Sequence, residues 1–208
     1  PWQGAMMKYC DLSGADLESA NLRNANLTGA ILDGTNMYGA DMRWAVYDEQ
    51  AVIRGGFKGA LLGAVDWRNK NLQQAELHHV DLQGANMRNA KLRNACLDGA
   101  NLHLSNFAGA DLRGVSLQGA KLTSVNFDGA QMKGADLTNA MYDVETCVER
   151  GWLRGTKLGP VQWQGRDLWG AELNGLNLEG ANLEGAILCN ANMQGCNLRG
   201  AILTGANF

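Results

Sequence analysis

Proline is almost absent from this chain, and long apolar runs are missing altogether. Among 208 residues there are two prolines and 27 glycines, and the glycines do not recur at every third position, which excludes a collagen-like triple helix. No apolar run approaches the ~20 residues that a membrane-spanning helix needs. The net charge of −3 is too small to indicate a nucleic acid, a membrane surface or another strongly charged partner, and a nucleic-acid partner is not expected. We therefore expect one folded domain over residues 1–208 and no membrane association.

The cysteines do not form a recognisable framework. They are odd in number, no two of them form a CxxC pair, and they stand at Cys10, Cys96, Cys147, Cys189 and Cys196. Without paired cysteines, free thiols in a reducing compartment are the expected state. The cysteine pattern therefore favours a cytoplasmic protein without disulfide bonds.

A large apolar residue, which we call the centre of a repeat, returns at every fifth position. The residue two positions before each centre is small, most often alanine. The centres form three blocks, which run from Leu12 to Met42, from Leu62 to Leu137 and, shifted by one residue, from Leu158 to Phe208. A repeat of this length sets the fold, so it is considered before any local secondary structure.

A period of five matches neither the 3.6 residues of a helical turn nor the two residues of a strand. A chain that turns by roughly 90° every five residues does keep the centres on one side, and four such sides close a square coil of about 20 residues. Stacked coils can then pair their backbones at the strand spacing of ~4.8 Å. The sequence predicts an all-β quadrilateral β-helix of about nine coils, a solenoid whose centres point inward.

The corners of this coil have a composition of their own. The second residue after each centre is usually Gly, Asn or Ser, residues that tolerate a positive φ angle. Trp44 and Leu104 occupy this position and break the rule. We expect locally different turns at these two residues.

Several runs resemble the A(D/N)LXX signature of the pentapeptide-repeat proteins. They include Ala15-Asp16-Leu17, Ala25-Asn26-Leu27, Ala135-Asp136-Leu137 and Ala181-Asn182-Leu183. The resemblance covers most of the chain and implies a right-handed β-helix. It is specific for the fold but not for the function, because the family includes gyrase-protecting resistance proteins as well as adaptor and effector domains.

The five-residue pattern lapses twice, at about 46–58 and about 142–155. Both lapses begin with Tyr-Asp, at Tyr47-Asp48 and Tyr142-Asp143, and both later reach a glycine followed by an aromatic residue. The similarity of the two lapses, and of the repeats after them, indicates a tandem duplication of the two halves. Each segment either folds back over the solenoid with its aromatic residues filling a gap, or forms a loop that carries recognition.

The chain offers no arrangement of residues that would support catalysis. His78 and His103 each follow a centre, but their separation is not a whole number of coils, so they belong to different faces and do not form a metal site. No serine has a histidine and an acid placed for nucleophilic attack. No glycine-rich phosphate-binding motif is present. We expect no enzyme, and neither catalytic, cofactor-binding nor metal-binding residues.

The outward positions suggest where a partner could bind. Arg93, Arg113 and Lys133 fall on one face in successive coils, either as a solvated row that blunts edge pairing or as a docking strip for an acidic protein surface or a nucleic-acid backbone. No aromatic residues interleave with this row, which argues against single-stranded nucleic acid. Trp169 should project outward, and an exposed tryptophan is a candidate contact residue.

The function favoured by the sequence is a non-catalytic protein–protein interaction or scaffold domain of a bacterial, cytoplasmic protein. The protein partner is unknown, and the apolar ends of a solenoid also allow oligomerisation through the ends. The alternative is a DNA-mimicking protein that binds DNA gyrase or another topoisomerase and confers resistance. The resemblance implies a strongly acidic rod with frequent Phe centres for that role, and this chain has neither.

Overall fold

The repeat unit is a short extended segment followed by a tight turn. The computed structural model describes the backbone of residues 2–208, and the side chains of all of these except residues 145 and 146. The residue before each centre makes an isolated parallel bridge to the next coil, and the two residues after the centre form the turn. The turn closes with a hydrogen bond such as the one that the Ala95 amide donates to the Leu92 carbonyl at 2.9 Å. Because the chain turns so soon, no strand in residues 2–208 extends beyond a single bridging residue.

The coils stack in parallel at a constant sequence interval through the regular parts of the rod. Asp81 bridges Asn101, and Asn101 bridges Lys121, always in parallel. The centre joins the same ladder, because the Leu92 amide donates to the Asp111 carbonyl of the next coil at 2.9 Å. This stacking is the β-helix that the five-residue period predicts.

Four faces repeat along the rod, and we number them by their bridging residues. Face 1 contains Asp81 and Asn101, face 2 Asn86 and Asn106, face 3 Lys91 and Asp111, and face 4 Cys96 and Ser116. Residues on either side of a bridging position belong to the same face. The numbering fixes which side chains lie beside one another in successive coils.

The interior is filled by the centres and by the small residues that precede them. In one mid-rod coil the four centres Leu92, Leu97, Leu102 and Phe107 are fully buried. Phe107 also stacks on Phe127 of the next coil, with 5.6 Å between the ring centroids. Among the described side chains, every buried nitrogen or oxygen has a hydrogen-bond partner. The buried polar groups of the described side chains are thus satisfied within the chain.

The expectation of different turns at Trp44 and Leu104 is wrong. Their φ angles are 61° and 60°, close to the 57° of Asn94 and the 68° of Gly14 at ordinary corners. The hydrogen-bonding geometry of the coil imposes the left-handed conformation on whatever residue occupies the corner, although residues other than Gly, Asn and Asp seldom adopt it. The side chains of Trp44 and Leu104 are exposed there.

Two short helices stand outside the repeat. Helix α1 spans Glu49–Ile53 and takes the place of face 3 in its coil, whereas α2 spans Val144–Glu149 and takes the place of face 2.

The two helical loops differ in the number of residues that they add to the coil. Around α1 the coil keeps its length, since Asp41 bridges Leu61 at the same interval that joins Asp81 to Asn101. Around α2 it gains one residue, since Asp136 bridges Lys157. This extra residue is the cause of the shifted register after the second lapse.

The two ends of the rod are less well covered than its middle. Trp2, Met6 and Phe208 are exposed, and the centres Met193, Leu198 and Leu203 are only partly buried. None of the helices in residues 2–208 is long and apolar enough to cross a membrane.

Candidate functional site

A row of positive residues follows face 3 through the middle of the rod. The Asn94 amide donates to the Arg113 carbonyl and the Gly114 amide to the Lys133 carbonyl, each at 3.1 Å. Arg93, Arg113 and Lys133 therefore stand above one another in three successive coils, as the repeat predicts.

Arg154 lies beside the end of this row in the next coil. The Gly134 amide donates to the Gly155 carbonyl at 2.8 Å, so Gly155 takes the place above Lys133. Arg154 immediately precedes Gly155 and lines the same hollow as Arg113 and Lys133. We call Arg93, Arg113, Lys133 and the neighbouring Arg154 the basic row.

The sequence did not indicate Arg154 as a member of the basic row. This residue lies in the second lapse of the repeat, one position beyond the interval that separates the other members. Only the folded second loop shows that Arg154 lines the same hollow as Arg113 and Lys133.

Most of the basic row has no direct acidic partner. Arg113 binds Asp111 through two hydrogen bonds, of 2.7 Å from Nε and 2.5 Å from Nη2, and this bonding, with a smaller contribution from the charge of Arg93, lowers the pKa of the Asp111 carboxyl. Among the described side chains, no ion pair involves Arg93, Lys133 or Arg154. The row therefore presents three positive charges that no carboxylate contacts directly.

A shallow hollow lies beside the C-terminal half of the row. It has a volume of about 940 Å³ and is lined by charged and aromatic side chains, among them Arg113, Lys133, Arg150, Trp152 and Arg154. Arg150 pairs with Asp128 at 2.9 Å and lies over the Trp152 ring, 5.3 Å from its centroid. The second loop thus adds cationic and aromatic surface to the basic row.

The aspartates of the two Tyr-Asp pairs hold the loops to the rod. At an ordinary corner the backbone amide donates to a backbone carbonyl of the next coil. At the start of each loop a carboxylate replaces that carbonyl: Asp48 accepts from the Gly29 amide at 2.7 Å, and Asp143 accepts from the Ser124 amide at 2.6 Å. The short acidic side chain therefore supplies the missing hydrogen-bond acceptor where the chain leaves the coil.

The tyrosines of the same pairs are largely buried. The Tyr47 hydroxyl is hydrogen-bonded to Trp67, and its ring packs edge-to-face on Phe57 with 4.6 Å between the centroids. Tyr142 is hydrogen-bonded to Trp163 in the same way. Burial raises the pKa of Tyr47 to about 12 and also raises the pKa of Tyr142. These contacts agree with loops folded back over the solenoid, and a role of the two pairs in recognition stays a prediction.

Trp169 lies apart from the basic row. It projects from face 2 in a coil beyond α2, and 64% of its surface is exposed. The structure brings Arg93, Arg113 and Lys133 together but does not bring Trp169 to them.

An apolar groove marks the corner between faces 1 and 2. Trp44 and Leu104 are exposed at its two ends, and the small residues Ala64 and Gly84 occupy the same corner position in the coils between them. The Arg23 guanidinium lies over the Trp44 ring, 4.5 Å from its centroid. The break in the corner rule was the sequence signal for this groove.

Comparison with known proteins agrees with this geometry. The family model of pentapeptide repeats matches residues 10–46, 57–94, 71–103, 100–139 and 167–205. The chain belongs to the pentapeptide-repeat family. Family membership and the parallel stacking of the coils support a right-handed β-helix. No curated protein matches the chain significantly.

Several solved pentapeptide-repeat structures are similar to this chain. HetL from the cyanobacterium Nostoc sp. strain PCC 7120, involved in heterocyst differentiation regulation, is 27% identical, with 99% of this chain and 90% of HetL covered and a TM-score of 0.33. Full-length QnrB1, a plasmid-mediated fluoroquinolone resistance protein, is 20% identical, with 97% and 79% covered and a TM-score of 0.40. A protein of the Arabidopsis thaliana thylakoid lumen is 19% identical, with 73% and 76% covered and a TM-score of 0.26.

The pentapeptide-repeat coil also brings together side chains that could hold a metal ion. His78, Cys96 and Asp98 come from two successive coils of face 4, and one ligand atom of each lies within 4.8 Å of the others. His78 and His103 are on different faces, as the repeat predicts, so this cluster contains a single histidine. The sequence did not indicate it, because its members come from different coils rather than from a local motif.

Proposed function

We propose that this chain is a non-catalytic interaction scaffold, a rigid β-helix of about nine coils with two loop insertions that presents its basic row to an acidic segment of a protein partner. The observation that carries the proposal is the stacking of Arg93, Arg113 and Lys133, with Arg154 beside them. Of these four residues, only Arg113 has an ion-pair partner among the described side chains. The chain as a whole has a net charge of −3, so this concentration of positive charge is local. Membership of a repeat family whose coils form a rigid surface is consistent with such a role.

Mutual repulsion makes the basic row unfavourable in the isolated rod. Coils are stacked at the strand spacing of ~4.8 Å, and like charges at neighbouring positions of a sheet destabilise it. On an edge strand, a row of like charges would be explained by the protection that it gives against pairing with another chain. Here, however, the coils that carry Arg93 and Arg113 are already paired on both sides, since Lys91 and Asp111 take part in successive bridges. An acidic partner that neutralises the row explains its position better.

A rigid row also favours binding for an entropic reason. The backbone of the rod is fixed by the coil-to-coil hydrogen bonds, so the charged positions need little ordering when a partner binds. The hollow beside Trp152 offers an apolar contact next to the charges, and aromatic and arginine residues are the usual anchors of protein interfaces. We therefore expect an acidic segment that contains at least one apolar side chain.

The proposal is tested with a labelled acidic peptide of glutamates and apolar residues, by fluorescence anisotropy at two salt concentrations. The double variant Arg93→Glu/Lys133→Glu should bind at least about ten-fold more weakly, because it places like charges against the peptide. The matched control Lys8→Glu/Arg199→Glu changes the net charge equally at exposed positions away from the row and should bind as the wild type does. Equal binding by both double variants would overturn the proposal.

Two further experiments, one competition and one enzyme assay, separate this function from its alternatives. Duplex DNA is added as a competitor at the same concentration of negative charges as the peptide. If the DNA displaces the peptide from the basic row, the row is a nucleic-acid surface instead. A supercoiling assay with DNA gyrase tests the DNA-mimic alternative, for which we expect no effect of the protein, because the prominent charged surface is basic. Protection or inhibition of gyrase would favour the alternative over the proposal.

A further inference from the structure

The cluster on face 4 joins three different metal-ligating groups across two coils. The His78 Nδ1 atom lies 3.2 Å from the Cys96 Sγ atom, and the Asp98 carboxylate completes a group whose ligand atoms are all within 4.8 Å of one another. All three residues are partly buried. The site is therefore reachable from solvent but already partly desolvated.

His78 is oriented by a carboxylate on its other side. Its Nε2 atom is 2.6 Å from the Glu76 Oε2 atom, and a carboxylate can only accept this hydrogen bond. The proton of neutral His78 is thereby placed on Nε2, and the lone pair of Nδ1 points to Cys96. Metal-ligating histidines in proteins almost always have such a carboxylate or carbonyl partner on the remote nitrogen.

Asp98 is also held in place by the following coil. Its Oδ1 atom accepts hydrogen bonds from the Ser116 hydroxyl at 2.5 Å and from the Gln118 amide at 2.9 Å. Both bonds go to Oδ1, so Oδ2 is the oxygen available to an ion. Three coils thus contribute to the arrangement, and two of its three ligating side chains have fixed orientations.

We propose that His78, Cys96 and Asp98 bind a divalent metal ion of the zinc type, with Glu76, Ser116 and Gln118 as positioning residues. Zinc bound to sulfur at ~2.3 Å and to nitrogen at ~2.0 Å in tetrahedral geometry places these two atoms ~3.5 Å apart, close to the observed separation. Three protein ligands leave the fourth tetrahedral position to water or to an incoming group. The ion would join two coils that backbone hydrogen bonds already connect.

The charges of the cluster suit a divalent cation. A metal ion binds the thiolate form of cysteine, so uptake of the ion releases the thiol proton as a bond between sulfur and the metal replaces the S–H bond. A thiolate together with two carboxylates gives the divalent ion strong electrostatic compensation.

The test uses Co²⁺ and Zn²⁺ with the full chain under reducing conditions after removal of bound metal. We expect saturable binding of one Co²⁺ per chain with a thiolate-to-cobalt charge-transfer band, displacement of Co²⁺ by Zn²⁺, and a metal-dependent rise in Tm. Cys96→Ser should abolish the band, His78→Asn should weaken binding more than about 100-fold, and Glu76→Gln should weaken it by about 10- to 100-fold through the orientation of His78.

Matched variants identify the site itself. Cys10→Ser and His103→Asn remove the same residue types elsewhere and should keep the band and the affinity of the wild type. If Cys96→Ser does not fold, Asp98→Asn serves in its place, and folding is checked by circular dichroism. Unsaturable cobalt binding, or binding that survives in both Cys96→Ser and His78→Asn, would show that this cluster binds no metal specifically.

Discussion

Single residues at the corners of the coil adopt a backbone conformation that most side chains avoid. Glycine and asparagine adopt it with little strain, whereas a leucine or tryptophan in the left-handed region costs about 1–2 kcal/mol. Leu104 and Trp44 have positive φ angles and exposed side chains, so the folded state gains little from their burial.

Replacement of Leu104 by asparagine should therefore stabilise the rod. We expect Leu104→Asn to raise the free energy of unfolding by about 1 kcal/mol, because asparagine tolerates the left-handed conformation. The reverse change Asn94→Leu, at a corner with φ of 57°, should lower it by a similar amount. Urea denaturation measures both, and a loss of stability in Leu104→Asn would mean that the exposed leucine packs more favourably than its surroundings indicate.

The two helical loops show how an element can leave a regular solenoid without opening it. Each loop begins with a tyrosine that fills the interior and an aspartate that replaces a lost carbonyl. These local replacements preserve the hydrogen bonds of the preceding coil. The loops therefore contribute to the stability of the fold.

Loss of the Asp48 carboxylate should destabilise the first loop. Asp48→Ala leaves the Gly29 amide without its acceptor, and a hydrogen bond to a charged group contributes about 1.5–3 kcal/mol. The neighbouring Glu49→Ala removes only an exposed ion pair with Lys70 and should cost less than about 1 kcal/mol. Thermal denaturation of the two variants compares them, and equal effects would contradict the role given to Asp48.

Alkaline conditions should weaken the same loop through Tyr47. Its pKa in the folded state is about 12, above the ordinary value of about 10, so the unfolded chain loses the phenolic proton first. The free energy of unfolding should fall as the pH rises from about 10 towards 12, and tyrosinate absorbance should show a group that ionises above the ordinary value of about 10. In Tyr47→Phe this part of the pH dependence should disappear, whereas its persistence would assign it to another group.

At the scale of the whole molecule, each coil is stabilised by its two neighbours. Mid-rod centres are fully buried, but the centres near the C-terminal end are only partly covered. In a solenoid the stability is close to a sum of coil and interface contributions. The same substitution should therefore have different effects along the rod.

A cavity in the middle of the rod should cost more than one near its end. Leu97→Ala is expected to lower the free energy of unfolding by about 2–5 kcal/mol, from lost burial and an unfilled cavity. Leu198→Ala, at a partly buried centre, should lower it by less, and the outward substitution Arg93→Ala by under about 0.5 kcal/mol. Chemical denaturation ranks the three variants, and similar effects for Leu97 and Arg93 would refute the inside–outside assignment.

The amino-acid sequence by itself determined the period, the inward centres and the face that Arg93, Arg113 and Lys133 share. These follow from local composition, because every fifth residue must be apolar and every corner must tolerate a positive φ angle. It did not reveal that Trp44 and Leu104 adopt the ordinary corner conformation, since backbone hydrogen bonds between coils override their intrinsic preferences. Only the tertiary structure placed Arg154 in one hollow with Lys133, because the length of a coil that contains a helix does not follow from the repeat. The same holds for His78, Cys96 and Asp98, whose contact depends on how side chains of successive coils are oriented across one face.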